Sequence, residues 1–194
     1  MKRKRNYITL ISLLFLLSAK SQQLTKVSPA IKFQSNLQSG ILIGQKGSEP
    51  AFVINAVNGV QAATWFAGIG VGIDYYEKRT IPLFINVEKN LSAKAKAFFL
   101  YGSAGYNFAW LKDNEKIQYV EKYDAGGLFY EAGAGYKFTI FSKMHIGFSA
   151  GYCYKQLKEK YITSILIEWL PNTPPPDNNY EYRRIAIKFN WWLK

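Results

Sequence analysis

The sequence predicts an all-β fold, an eight-stranded antiparallel transmembrane β-barrel wound as a meander behind a signal peptide. Three observations lead there: a secretory leader, period-2 alternation that recurs from strand to strand, and connections of alternating length. The clearest strand runs from Leu128 to Ile140, LFYEAGAGYKFTI. Side chains on a strand alternate between its faces. Leu128, Tyr130, Ala132, Ala134, Tyr136, Phe138 and Ile140 therefore share one face, and Phe129, Glu131, Gly133, Gly135, Lys137 and Thr139 the other. The first face is an apolar and aromatic stripe, the second small and charged. One such strand also suits a soluble sheet, but several behind a secretory signal describe a barrel with lipid outside and polar groups inside.

The leader begins Met1-Lys2-Arg3-Lys4-Arg5, and Tyr7 to Leu17 is apolar apart from Thr9 and Ser12. Ala19-Lys20-Ser21 places small residues for cleavage before Gln22. The apolar run is too short for a membrane anchor, which needs about 18 residues or more. The expected division is a signal peptide at 1–21, an N-terminal periplasmic segment at 22–34 and the barrel at 35–194. Without Lys2, Arg3, Lys4, Arg5 and Lys20, the 25 basic residues become 20 against 13 acidic, a net charge of +7. The bases are scattered rather than clustered, so no nucleic-acid partner is indicated. Basic loops facing anionic lipopolysaccharide fit this balance, as does an ordinary solvated surface. The single cysteine, Cys153, can form no internal disulfide and belongs to no CxxC metal pattern.

Strands are expected at 35–45, 50–57, 64–76, 80–89, 96–111, 126–140, 143–157 and 180–193, the second having the least distinct faces. About 10 residues tilted near 45° cross the hydrocarbon. The third strand turns Trp65, Ala67, Ile69, Val71, Ile73 and Tyr75 outward, with Phe66, Gly68, Gly70, Gly72 and Asp74 inward. In the fourth, Ile81, Leu83, Ile85 and Val87 face lipid, and Phe84, Asn86 and Glu88 face in. The fifth has Phe98, Leu100, Ala104, Tyr106, Phe108 and Trp110 outward, the seventh Met144, Ile146, Phe148, Ala150, Tyr152 and Tyr154. The last has Ile185, Ile187, Phe189, Trp191 and Leu193 outward, with Arg184, Lys188 and Asn190 inward. Counting from a periplasmic N-terminus, the odd-numbered links lie outside. The long links at 112–125 and 157–179 are among them, whereas the sixth is only Phe141-Ser142-Lys143, as expected for periplasmic turns. An even strand count returns the C-terminus to the periplasm.

Two sets of residues stand out. Trp65, Tyr75, Trp110, Tyr154, Trp191 and Trp192 fall near strand ends, with Tyr76 beside them, and are expected to form aromatic girdles at the headgroup level. Asp74, Glu88, Glu131, Lys137, Lys155, Arg184 and Lys188 are expected to form a charge network inside the lumen. Charges in a narrow bore must pair or hold water.

The segments GIGVGIDYY (Gly68–Tyr76), RTIPLF (Arg79–Phe84), YGSAGYNF (Tyr101–Phe108) and EAGAGYKF (Glu131–Phe138), with the aromatic last strand, resemble the small outer-membrane β-barrel proteins of Bacteroidota-type bacteria. The resemblance covers residues 35–194. It implies a porin-like outer-membrane domain, inserted by the barrel-assembly machinery, in a group that includes structural proteins, adhesins, narrow pores and lipid enzymes. Such barrels commonly end on an aromatic residue read by that machinery. This chain ends Trp191-Trp192-Leu193-Lys194, which shifts the signal inward or weakens it.

Other motifs are better read structurally. Gly68-Ile69-Gly70-Val71-Gly72 lacks the GxGxxG spacing and the following helix of a dinucleotide site, whereas inward glycines make room in a bore wide enough only for side chains. His145 would need a nucleophile and an orienting acid nearby. Ser149, on the same face, lies about 13 Å along the strand, and Ser103 and Ser142 could approach only through cross-strand register. Inward Cys153 reads as an inert buried thiol. Neither catalytic, metal nor cofactor residues are assigned. The apolar run Tyr161–Leu170 is expected to extend the seventh strand or cover the mouth, with a partner site or an additional strand as alternatives. The function expected is non-enzymatic: membrane structure, or binding at the cell surface through the long loops at 112–125 and 157–179, the latter a site for an extracellular partner, with the lumen plugged by charged side chains and outer-membrane lipid and lipopolysaccharide around the barrel. The alternatives are a lipid-modifying enzyme and a narrow pore, the latter opposed by inward Phe66 and Phe84.

Overall fold

Alternation of the kind seen at 128–140 recurs in every strand, and each strand buries its odd or its even positions accordingly. In a computed structural model, which describes residues 30–44, 49–92, 97–110, 122–141, 144–162 and 178–193, the strands are β1 (Lys32–Ile43), β2 (Ala51–Ala62), β3 (Trp65–Asp74), β4 (Thr80–Asn90), β5 (Ala97–Ala109), β6 (Lys122–Phe141), β7 (Met144–Ile162) and β8 (Asn178–Leu193). Each pairs antiparallel with the next, and β8 returns to β1, closing the barrel. Closure gives every strand a paired neighbour on both sides. The expected leader and residues 22–29 lie outside the described residues.

All eight expected strands are present. β1 begins three residues before the expected 35, and β2, the least distinct by alternation, runs on to Ala62. β6, β7 and β8 are longer than expected and rise together, with Lys122 paired to Ile162 and Asn178 to Glu159. Tyr161 and Ile162 thus extend the seventh strand; residues 163–170 of that apolar run lie outside the described residues. So does 112–121 of the long fifth link.

The start of β1 and the end of β8 lie at one end of the barrel, called here the terminal end, and the opposite end is the loop end. Links at the terminal end span 63–64, 91–96 and 142–143, or two, six and two residues. Those at the loop end span 44–50, 75–79, 110–121 and 163–177, or seven, five, twelve and fifteen. The alternation in length holds except that the third link is shorter than the fourth. Ala63, in the tight 63–64 turn, takes φ 51°, a left-handed conformation that glycine adopts more easily.

The facing read from sequence is the facing observed. Ile69, Ile85, Phe98, Leu100 and Phe148 are exposed on the outer surface, and Phe66, Phe84, Asn86, Ser103 and Ser149 are buried within. On the inner face of β3, a Cβ at Gly70 would collide with the Phe84 ring, and one at Gly72 with the Asn55 side chain. This stretch of wall is bare so that neighbouring strands can fill the bore. The facing has a direct test in lipid. Leu100→Arg is expected to destabilise the lipid-inserted barrel by about 2–4 kcal/mol if Leu100 sits near the midplane, whereas Ser103→Arg answers to crowding inside. Urea titration of refolding into vesicles reads both. A harmless Leu100→Arg would mean that the outer surface does not meet hydrocarbon.

Candidate functional site

The interior is the candidate site, because the charged residues that alternation turns inward all meet there. All seven members of the expected network are buried. They fall into three layers along the bore.

At the loop end, Asp74 closes β3. Its Oδ2 accepts from Arg184 Nη1 at 2.6 Å and from Lys155 Nζ at 3.4 Å, and its Oδ1 from the Tyr76 backbone N–H at 2.8 Å. Lys155 also donates to the carbonyls of Tyr76 and Lys78 and to Thr80 Oγ1. The Arg184 guanidinium lies 5.0 Å from the Tyr76 ring centre, with its Nη2 3.1 Å from Cys153 Sγ. The thiol is therefore buried against a cation within the wall.

In the middle layer, Lys188 Nζ lies 2.6 Å from Glu131 Oε1 and 2.7 Å from Oε2, and the Tyr101 hydroxyl donates to Oε1 at 2.6 Å. Toward the terminal end, Glu88 accepts from Asn36 Nδ2 at 2.9 Å and from Trp192 Nε1 at 3.2 Å, with Lys137 Nζ 3.8 Å away. Lys137 stands 4.0 Å above the Trp192 ring, which packs edge-on against Phe99. These contacts join strands that are not ladder neighbours: β3 to β7 and β8, β6 to β8, and β4 to β1, β6 and β8. They brace opposite walls, which a hydrogen-bonded ladder alone cannot do. Each layer's carboxylate accepts hydrogen bonds as well as pairing with a cation, the condition under which burying ions is tolerated.

The girdle is corrected at one position. Trp65, Tyr75, Trp110 and Trp191 are exposed on the outer surface and Tyr154 is half-exposed there. Trp192 is fully buried in the lumen. Alternation with outward Trp191 requires this; nearness to the strand end obscured it. Tyr76, beside Tyr75, is likewise buried. The outer rings meet cations at both ends: Lys89 lies 4.4 Å over Trp65 and Arg79 5.4 Å over Trp110.

His145 and Ser149 are buried on β7, but they do not converge. His145 Nδ1 is 2.6 Å from Thr139 Oγ1, and Ser149 Oγ accepts from Asn190 Nδ2 at 2.8 Å. Ser103 Oγ accepts from Asn86 Nδ2 at 2.9 Å, and Ser142 lies outside the described residues. Sequence reasoning passed over the buried amides of β1. Gln34, Asn36 and Gln38 line the inner face of β1, and their spacing of two in KFQSNLQSG was the available signal.

No protein-family model and no curated protein matches this chain. Among solved structures, the crystal structure of Neisserial surface protein A (NspA) is similar, with a TM-score of 0.53 at 9% identity over 85% of this chain and 99% of that one. The outer membrane protein OprG from Pseudomonas aeruginosa gives a TM-score of 0.43 at 11% identity, over 86% and 97%. The likeness to the first is one of fold, a small closed β-barrel.

Proposed function

We propose that the chain is a non-enzymatic outer-membrane β-barrel protein of the Bacteroidota type. Its lumen is closed by its own side chains, and its work is membrane structure or binding at the cell surface through the loop end. The observation that carries this reading is the division between the two faces. The outer surface presents a continuous apolar band, including Leu37, Ile69, Ile85, Leu100 and Ile187, whereas every inward charge of the network has an oppositely charged partner within 3.8 Å. Apolar surface on that scale requires an apolar solvent, and a closed barrel is one of only two structures that satisfy its backbone there. The leader supports export, and rings paired with cations at both rims suit headgroups of anionic lipid such as lipopolysaccharide. With short turns periplasmic, both termini face the periplasm, the barrel-assembly machinery inserts the chain, and the links at 112–125 and 157–179 are the places for an extracellular partner.

The non-enzymatic reading is supported by the partners of the two residues best suited to catalysis. His145 bonds Thr139, and Ser149 receives Asn190. Insertion is tested on gels. The mature chain refolded in detergent is expected to migrate faster unboiled than boiled, because a closed barrel resists detergent until heated, and to fractionate with the outer membrane. A mature chain that stays monomeric in buffer without detergent would overturn the proposal. Bilayer conductance and a lipid-hydrolysis assay on the same preparation separate it from a pore and from a lipid enzyme.

A further inference from the structure

Six buried amide oxygens, those of Gln34, Asn36, Asn55, Asn86, Asn90 and Asn107, have no hydrogen-bond partner among the described residues. In four of these amides the nitrogen is engaged. Asn36 donates to Glu88, Asn55 to Gln38, Asn86 to Ser103 and Asn107 to the Leu128 carbonyl. These bonds fix which way each amide points and leave its oxygen unmet. An unmet buried acceptor is destabilising, and folded proteins meet such groups with ordered water. A cation is the poorer donor here, since four of the seven network charges are already positive.

The oxygens fall on two sides of an apolar septum. One contiguous buried cluster draws Leu42 from β1, Val53 from β2, Phe84 from β4, Phe129 from β6, Cys153 from β7 and Ala186 from β8 to this level, with Val57 and Phe66 continuing it toward the terminal end. β5 contributes Gly105, where a Cβ would strike the Leu83 carbonyl and the Cα and Cβ of Phe84. Polar residues flank this level along the strands: Asn86 and Thr80 about Phe84, Ser149 and Lys155 about Cys153, Lys188 and Arg184 about Ala186. By strand position, Gln34, Asn36, Asn86 and Asn90 lie on the terminal side, as does Asn55, which sits terminal-ward of Val53 and bonds Gln38, whereas Asn107 lies on the loop side.

We propose that the bore consists of two water-holding chambers, anchored on these amide oxygens, and that Phe84 and Phe129 are the barrier between them. Their rings, 5.4 Å apart, reach toward each other across β5. An apolar constriction excludes a water column even where polar groups lie on either side. The proposal rests on the closed-lumen reading and adds where the closure lies.

The test uses the mature barrel in planar phosphatidylcholine bilayers with potassium chloride as the probe. Wild type is expected to be silent. The Phe84→Ala, Phe129→Ala double variant, first verified as heat-modifiable, is expected to raise steady conductance about tenfold or more above baseline. Steady wild-type conductance would overturn the closed lumen and the septum together. A silent, folded double variant overturns the septum and leaves the closed lumen standing. Should the double variant not fold, wild type in micelles still decides: slowly exchanging water should cross-relax with the side-chain amides of Asn36 and Asn107, and its absence at either overturns the two chambers.

Discussion

Asp74→Ala is expected to be the most damaging single substitution in the barrel, lowering stability by about 5 kcal/mol, the upper end of the range for breaking a buried ion pair. The reason is arithmetic of charge. Asp74 is shared by Arg184 at 2.6 Å and Lys155 at 3.4 Å, so its loss strands two buried cations rather than one. The Tyr76 N–H loses its acceptor as well. Urea unfolding in micelles at neutral pH reads the effect. Asp74→Asn restores an acceptor but no charge, and is expected to recover only part of the loss. If Asp74→Ala unfolds like wild type, the cations have water enough to stand alone, and the loop-end chamber is open.

Glu131→Ala is expected to cost about 3–5 kcal/mol by the same mechanism, since it leaves Lys188 without its carboxylate and the Tyr101 hydroxyl without its acceptor. It should lower the unfolding temperature without opening a large pore, because Phe66 and Phe84 still fill the bore. Thermal unfolding and single-channel recording on the same variant make the check. Wild-type-like stability combined with steady conductance would mean that these charges line a water path, and the closed-lumen reading would give way to a channel.

Strand order and facing were legible because a lipid-facing wall with a polar lining imposes alternation on each crossing residue. The inward placement of all seven charges followed from that alone. Their partners did not, because which side chains meet depends on the stagger between strands, and alternation within a strand is blind to it. Strand length was misjudged where the rule ceases to apply. Lys122 to Ala125 and Lys158 to Ile162 carry no apolar stripe, since above the apolar band both faces can be polar, yet they pair as one ladder. Trp192 was misplaced by weighing residue type over parity. The amides of β1 escaped notice because an amide on a strand carries no charge and no apolar signal.

The ladders differ in how far along the chain they reach. β6 and β7 meet across a two-residue turn, Phe141 opposite Met144, and stay in register to Lys122 and Ile162 apart from one irregularity near the turn. The seam between β1 and β8 instead joins Ser35 to Leu193 and stops at Ile43 and Ile185. Bringing together ends separated by 158 positions rather than three costs about 3.5 kcal/mol more in loop entropy on the logarithmic rule. The seam therefore belongs late in assembly, after the local hairpins have formed. Until that zip closes, β1 and β8 are two free edges, able to pair with any strand offered to them, and the nascent barrel is most vulnerable to mispairing at that moment.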